Sequence, residues 1–270
     1  MVAPILLAIL APAAAQVAVP LQPTGKWVLE GENNMCALLR TFGEGKSEVT
    51  LGIRPWPLGG HTDILLFVSG NHDGFGRDPE SLMFDTGTPI KTGYESYILA
   101  KKNVRLAIAT YTENAIAPIE GAKEATIAFS KDAVFPMALP DMEPALKALA
   151  NCNNLLRNSL GIDPAWQEKI KVSATPQENP QRWYKEGTYP GSPLMFGVQG
   201  MSRMLMTINP DGRVSQCVTF GSSGNAKLDE FACKGFLLNG RFNPARDQHG
   251  DPIVGYFVFG LDFRILPPSH

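Results

Sequence analysis

Short runs rich in β-branched and aromatic residues, bounded by Gly, Pro, Asn or Asp, recur between residues 27 and 130. Six of these runs read EVTLGIRP, DILLFVSG, SLMFDTG, ESYILAKK, VRLAIATY and EATIAFSK. Apolar runs of this length, separated by turn residues, are typical of strands. We therefore predict that this part of the chain is an antiparallel sheet that curls into a sandwich or roll.

One helix is expected after these strands. Asp141 stands where it can cap the helix, and Pro144 falls in the first turn. Helical spacing places a set of apolar residues on one face: Met142, Ala145, Leu146, Leu149, Cys152 and Leu156. We expect the helix to end near Gly161 and the β-rich domain to occupy residues 20–165.

The next stretch, residues 172–187, reads VSATPQENPQRWYKEG and is polar, contains two prolines and has little periodicity. We predict that it is a linker between two domains.

The remaining residues, 188–268, indicate a small second domain. Met204, Met206 and Ile208 alternate on one strand, and the NPDG sequence at 209–212 is typical of a hairpin turn. A returning strand, a short amphipathic helix and a last alternating strand follow. The economical arrangement is a three-stranded antiparallel sheet with the helix on its apolar face. The whole chain is thus expected to be an α+β protein.

The first residues resemble an export signal. Residues 2–10, VAPILLAIL, form a short apolar core, and an A-x-A pattern follows at 13–15. We expect residues 1–15 to be a signal peptide that exports the chain; an uncleaved membrane anchor is the alternative. The net charge of −2, with scattered Lys and Arg, argues against nucleic acid as a partner.

Four cysteines in an exported chain favour disulfides. Three pairings are possible, and the one that we favour has one bond within each half of the chain, Cys36 with Cys152 and Cys217 with Cys233. Four buried free thiols are the alternative.

Four motifs in the C-terminal part carry a resemblance to a known family. They read YPGSPLMFGVQG, INPDGRVSQC, SSGNAKLDEFAC and RFNPARDQHGDPIVGYF. Their order and spacing resemble the C-terminal domain of the TonB family over residues 189–265. The resemblance implies an α+β domain that contacts outer-membrane transporters, with a last strand that can pair with a short transporter segment. A bond between Cys217 and Cys233 is similar to that of a cysteine-bearing subset of the family.

The chain also departs from the family pattern. Pro193 stands where a helix-friendly residue is usual, so residues 189–197 are expected to form either a weakened short helix or a turn, in which case the first helix of the domain is absent. Family members cross the periplasm on a long extended linker, whereas the predicted linker here reaches only about 55 Å when fully extended. The export signal and the resemblance together imply the periplasm as the location, with an inner-membrane anchor as the alternative, and we expect a non-enzymatic periplasmic binding protein. A membrane-anchored, short-reach energy transducer is one alternative, and a small periplasmic hydrolase localised by the TonB-like domain is another.

No residues combine into a catalytic site, so we expect no catalytic group, metal or cofactor. His61, His72 and Ser222 are interpreted as residues of loops and turns. The expected binding site is the free edge of the last strand, between Ile253 and Phe263. Its candidate residues are Ile253, Val254, Tyr256, Val258 and Arg264, with Tyr256 and Arg264 facing outward. The expected partner is an envelope protein such as a TonB-dependent outer-membrane transporter; a homodimer formed through the same edge is the alternative.

Overall fold

The computed structural model describes residues 19–31, 34–70, 75, 80–85, 87–99, 103–163, 165–184 and 189–265. The predicted signal peptide, residues 1–15, and His72 lie outside the described residues. Within them the chain is an α+β protein, and every pair of named strands is antiparallel.

Two sheets form the N-terminal unit, which comprises the described residues up to 169. Its strands are β1 (Val28–Glu30), β2 (Ala37–Phe42), β3 (Val49–Pro55), β4 (His61–Ser69), β5 (Glu80–Phe84), β6 (Ile90–Thr92), β7 (Tyr94–Leu99), β8 (Val104–Thr112), β9 (Glu124–Ser130) and β10 (Ala133–Ala138). One sheet has the order β1-β2-β3-β4-β8-β7 and the other has the order β10-β9-β5-β6. Their apolar faces share one core, which includes Phe42, Leu66, Ile127 and Phe129.

Helices complete this core. A single turn, α1 (Glu113–Ile116), follows β8, and the long helix α2 (Met142–Ser159) buries the apolar face predicted for it. Gly161, with φ +67°, follows the end of α2 as expected. Asp141 does stand at the N-cap, but its side chain makes no capping hydrogen bond, so its predicted capping role is wrong. Its backbone is in the left-handed region, whereas a capping residue is normally extended.

The C-terminal unit comprises the described residues from 170 onward and follows the single turn α3 (Trp166–Lys169). Its elements are β11 (Ile170–Val172), β12 (Thr175–Pro176), α4 (Gly191–Met195), β13 (Gly200–Ile208), β14 (Val214–Gly221), α5 (Ala226–Asn239), β15 (Phe242–Asn243), β16 (Ala245–Asp247), β17 (Pro252–Ile253) and β18 (Gly255–Phe263). The main sheet has the order β14-β13-β18. Leu228, Ala232 and Phe236 of α5 are fully buried in a second core.

The sequence signals of this unit have structural counterparts. Gly212 takes φ +77° in the turn between β13 and β14, where the N–H of Asn209 donates to the carbonyl of Arg213 (2.9 Å). Of the two alternatives for residues 189–197, the short helix is the one that forms, because α4 includes Pro193. Pro193 lies in the first turn of α4, where a backbone N–H has no helical partner and its absence costs little.

The described part of the predicted linker is folded onto the C-terminal unit. β11 pairs with β16, and β12 pairs with β15. Trp183 is buried in the second core, where it contacts Phe236 and Phe242. These two- and three-residue strands are too short to produce a readable periodicity in the sequence. The segment therefore does not hang free between the two units.

The two units pack sheet against sheet. On the outer face of the six-stranded sheet, Leu65 and Tyr97 form a cluster with Met201 of β13. Beside it, Phe220 and Tyr256 pack with Ile162 in a further cluster. The three-stranded sheet therefore lies between α5 and the six-stranded sheet, which explains why β13 is almost completely buried.

Each unit contains one disulfide. Cys36 is bonded to Cys152 of α2, with a Cα–Cα distance of 5.9 Å. Cys217 of β14 is bonded to Cys233 of α5, with a Cα–Cα distance of 5.5 Å. Each bond fastens a helix to the sheet on which it packs.

Candidate functional site

The last strand, β18, is an edge of the three-stranded sheet. It pairs with β13 along its whole length, from Gly255 opposite Ile208 to Phe263 opposite Gly200. No other strand in the described residues pairs with it. One side of its backbone therefore presents unpaired N–H and C=O groups, which can accept another strand.

Alternate side chains of β18 hold the strand in place. Phe257 packs against Phe242 (ring centroids 5.1 Å apart), and Phe259 packs against Phe236 (5.5 Å). Phe263 is also buried in this core. Because aromatic packing anchors the strand along its length, its free edge is a rigid template rather than a loose segment.

At the start of β18, the side chains on the opposite face do not face solvent. Tyr256 is only 7% exposed, its ring packs edge-on against Trp166 (5.2 Å), and its hydroxyl donates to the carbonyl of Gly161 (3.2 Å). Val258 packs against the same cluster. The expectation that Tyr256 faces outward is therefore wrong. The alternation was assigned correctly, but the N-terminal unit covers this face.

Arg264 lies one residue beyond the end of β18 and is about half exposed. Its Nε is 2.5 Å from Oδ2 of Asp262, and its guanidinium lies over the ring of Tyr97 of β7 (5.9 Å). The hydroxyl of Tyr97 in turn donates to Oδ1 of Asp262 (2.7 Å). Burial, followed by this hydrogen bond, raises the pKa of Tyr97 well above its usual value.

Ile253 and Val254 precede β18. Ile253 lies in β17, which pairs with β16 opposite Ala245, and Val254 is 41% exposed. A cleft of about 350 Å³ opens here, and Ile253, Val254 and Tyr256 all line it together with Trp166. The structure thus brings three of the five predicted binding residues together and leaves Val258 and Arg264 outside the lining.

A buried ionic cluster joins the two units, and sequence reasoning missed it. Asp63 of β4 is fully buried, and its Oδ2 accepts hydrogen bonds from Nη2 (2.8 Å) and Nε (3.1 Å) of Arg54. Nε of Arg203, on β13, lies 2.8 Å from the same oxygen; its N–H is not aimed at it, so this contact is an ion pair only. Trp56 and Thr110 donate to the other oxygen of Asp63.

Burial acts to lower the pKa of the Arg203 guanidinium, and the nearby Asp63 opposes that effect. Nη2 of Arg203 also donates to Thr110 (2.8 Å), and its guanidinium lies over the Trp56 ring (5.4 Å). The carboxyl of Glu95 completes the surroundings; burial raises its pKa, and Arg203 partly offsets this. No pattern in the sequence links Asp63 with an arginine 140 residues away.

His61 and Ser222, which were considered for catalysis from the sequence, each contact a neighbouring side chain. The interpretation of His61 as a loop residue is wrong, because it is the first residue of β4, where its ring packs against Trp56 (4.8 Å). Ser222 donates to Oδ2 of Asp229 (2.6 Å) in the first turn of α5. Within the described residues, no three His, Cys, Asp or Glu side chains converge as metal ligands. None of the helices described is both long and apolar enough to span a membrane.

The chain is thus an α+β protein whose last described strand is an edge strand of the C-terminal sheet. Residues 185–265 match the family model of the Gram-negative bacterial TonB protein C-terminal. This match confirms the resemblance that the sequence motifs indicate. It covers under a third of the chain and supports a TonB-like role in the cell envelope. No curated protein matches the chain.

Proposed function

We propose that the protein is a non-enzymatic periplasmic binding protein that takes up an extended segment of an envelope protein along β18. The partner that fits the family match is a TonB-dependent outer-membrane transporter. The observation that carries the proposal is the free side of β18, which is an edge strand held by buried Phe263 and by partly buried Phe257 and Phe259. In strand addition, main-chain hydrogen bonds supply affinity without any catalytic group.

The length of β18 suits this role. Nine residues, at about 3.4 Å each, present an edge of about 30 Å. Tyr256 and Val258 are packed against the N-terminal unit, so these side chains are not available to select a partner. Selectivity must therefore come from the two ends of the strand, where Val254 and Arg264 are exposed.

The organisation of the chain belongs to the same proposal. Residues 1–15 are removed as a signal peptide, residues 20–165 form an accessory domain, and residues 188–268 form the binding domain. Because residues 172–184 lie along the C-terminal unit, the chain offers little extensible linker between its units. This favours a binding protein over an energy transducer. Identification of the native N-terminal residue tests the removal of the signal.

Site-specific photo-crosslinking in the periplasm tests the edge. A benzoylphenylalanine replaces Val254 or Arg264, the exposed residues that flank β18, and the control replaces exposed Ser215 on β14, the opposite edge of the sheet. We expect adducts with an envelope protein from the first two positions and none from Ser215. Adducts from Ser215 alone would refute the proposal, and an adduct with a second copy of this chain would establish the homodimer instead.

Hydrogen exchange then separates strand addition from mere proximity. A synthetic peptide covering the crosslinked partner segment is added to the full chain. Backbone amides of residues 255–263 should exchange more slowly, whereas those of residues 214–221 should not change. Unchanged exchange in β18 at saturating peptide would exclude strand addition.

A further inference from the structure

The cleft beside the start of β18 has walls from both units. Asp163, Trp166 and Lys169 come from the N-terminal unit, and Asp247, Ile253 and Tyr256 come from the C-terminal unit. Its volume of about 350 Å³ is at the small end of the range for ligand pockets, about 300–1,000 Å³. The cleft is therefore the right size for a side chain rather than for a large cofactor.

The aromatic wall of the cleft is preorganised. The rings of Trp166 and Tyr256 meet at 77°, and the hydroxyl of Tyr256 is held by the carbonyl of Gly161. Trp166 lies outside the residues 185–265 that match the family. This half of the cleft is thus a feature of the present chain and does not follow from the TonB-like domain.

The charged groups of the cleft are unequally paired. Asp163 is held by Lys169, with Nζ 2.5 Å from Oδ2. Asp247 uses Oδ1 to accept from the backbone N–H groups of His249 and Asp251. Its Oδ2 has only Nδ1 of His249 nearby, at 3.7 Å, which is too far for a hydrogen bond. Among the described residues, Asp247 therefore offers an anionic oxygen with no close donor.

That oxygen belongs to an ionised carboxylate. Desolvation acts to raise the pKa of Asp247, but the hydrogen bonds from Asp251 and His249 outweigh it and hold the pKa below its usual value. The cleft thus combines an aromatic wall with a negative charge at its rim. A guest with an apolar stem and a cationic end satisfies both.

We propose that the cleft binds an arginine side chain, carried by the extended segment that adds to β18. A guanidinium stacks on aromatic rings and can donate a charge-assisted hydrogen bond to the open Oδ2 of Asp247, whereas a lysine ammonium is a strongly hydrated point charge. The placement on the added segment rests on the proposed function, since Ile253 and Tyr256 flank the start of the free edge. The affinity for arginine is a property of the cleft itself.

The test uses three small probes on the full-length, isotope-labelled chain: N-acetyl-arginine amide, N-acetyl-citrulline amide and N-acetyl-norleucine amide. The signal is the NMR shift of the Trp166 indole, assigned with Trp166→Phe, and of backbone amides 247–256. We expect saturable shifts with the arginine probe at millimolar concentration and binding at least about tenfold weaker for the two uncharged probes. Equal binding of all three would overturn the proposal.

Asp247→Asn removes the charge and keeps an oxygen that can accept from the turn amides. It should weaken binding of the arginine probe about tenfold, whereas the matched control Asp251→Asn, outside the cleft lining, should not. If Asp247→Asn disturbs the turn, 0.5 M salt on the unaltered chain gives the second measurement, since a rim-exposed ion pair weakens with salt. Binding indifferent to both changes would overturn the proposal.

The outcomes separate the two proposals. Arginine binding in the cleft without slowed exchange in β18 would refute strand addition and leave the cleft intact. Slowed exchange in β18 without arginine binding would refute the cleft alone.

Discussion

The hydroxyl of Tyr97 lies 2.7 Å from Oδ1 of Asp262, so that an edge strand of the six-stranded sheet is hydrogen-bonded to the last strand of the chain. Together with Asp63 and Arg203, this contact places buried polar groups on both sides of the junction between the units. The junction is therefore specified by directed contacts as well as by apolar packing.

Tyr97 should make stability depend on pH in alkaline solution. Burial and the hydrogen bond to Asp262 raise its pKa, so the folded state favours the protonated phenol. Its contribution is complete below about pH 10, where unfolded tyrosine titrates, and is lost as pH rises toward the folded pKa. Tyr97→Phe should therefore remove about 1.4 kcal/mol per pH unit from the decline in unfolding free energy above pH 10.

Urea unfolding between pH 8 and 11.5 measures this slope. At pH 8 the same variant should lose about 1–2 kcal/mol with its hydrogen bond. Tyr184→Phe is the positive comparison. Burial also raises the pKa of Tyr184, which lies away from the junction, so this variant should likewise reduce the decline in unfolding free energy above pH 10. An unaltered alkaline slope in Tyr97→Phe would contradict the assignment.

Asp63→Asn should be strongly destabilising. It leaves Arg54 and Arg203 buried without their anion, and loss of one partner from a buried ion pair typically costs about 3–5 kcal/mol. The midpoint of urea unfolding measures the loss. The exposed residue Asp251, changed to Asn, should stay within about 0.5 kcal/mol of the unaltered chain. A loss below 1 kcal/mol in Asp63→Asn would show that the cluster does not hold the units together.

Gly235 of α5 should respond to alanine in opposite ways in two backgrounds. A Cβ at this position would lie 2.2 Å from Cε1 of Tyr184, whose hydroxyl donates to the carbonyl of Ala232. Gly235→Ala should therefore destabilise the protein, although alanine favours a helix by about 1 kcal/mol over glycine. In a Tyr184→Ala background the same change should become stabilising. Thermal unfolding of the four chains tests this, and an unchanged sign would exclude the steric explanation.

The two disulfides should contribute unequally. The Cys217–Cys233 bond closes 16 residues and the Cys36–Cys152 bond closes 116. On the chain-entropy estimate these loops are worth about 3 and about 5 kcal/mol. Double Cys→Ala variants of each pair, unfolded in urea under oxidising conditions, should rank in this order. The reverse ranking would show that local packing, and not loop closure, sets the contribution.

The elements predicted correctly are those with a local signal. The strands around Ile53, Leu66 and Ile127, the apolar face of α2 and the turn at Gly212 all follow from periodicity or turn chemistry within a few residues. The burial of Tyr256 does not, because alternation shows which side chains share a face and not what covers that face. Arg54, Asp63 and Arg203 meet across three strands, and no sequence spacing encodes such a meeting.

One signal of the junction was nevertheless readable. β4 carries five consecutive apolar residues, from Ile64 to Val68. In a strand with one solvent-exposed face, apolar and polar residues alternate instead. Leu65 and Phe67 are the residues that face the C-terminal unit. An unbroken apolar run in an antiparallel strand therefore indicates a second buried face, and hence a partner layer.

The packing of the two sheets against each other also decides whether the C-terminal unit can fold when it is excised from the chain. Trp183, deep in its core, precedes residue 185, and Leu205, Phe220 and Tyr256 would become solvent-exposed in an excised fragment of residues 185–265. Such a fragment should self-associate in size-exclusion chromatography, because a large exposed apolar face promotes association between copies. The stretch that matches the family model is therefore shorter than the stretch that the unit needs in order to fold by itself, and grafting the unit onto another protein requires the N-terminal unit as well.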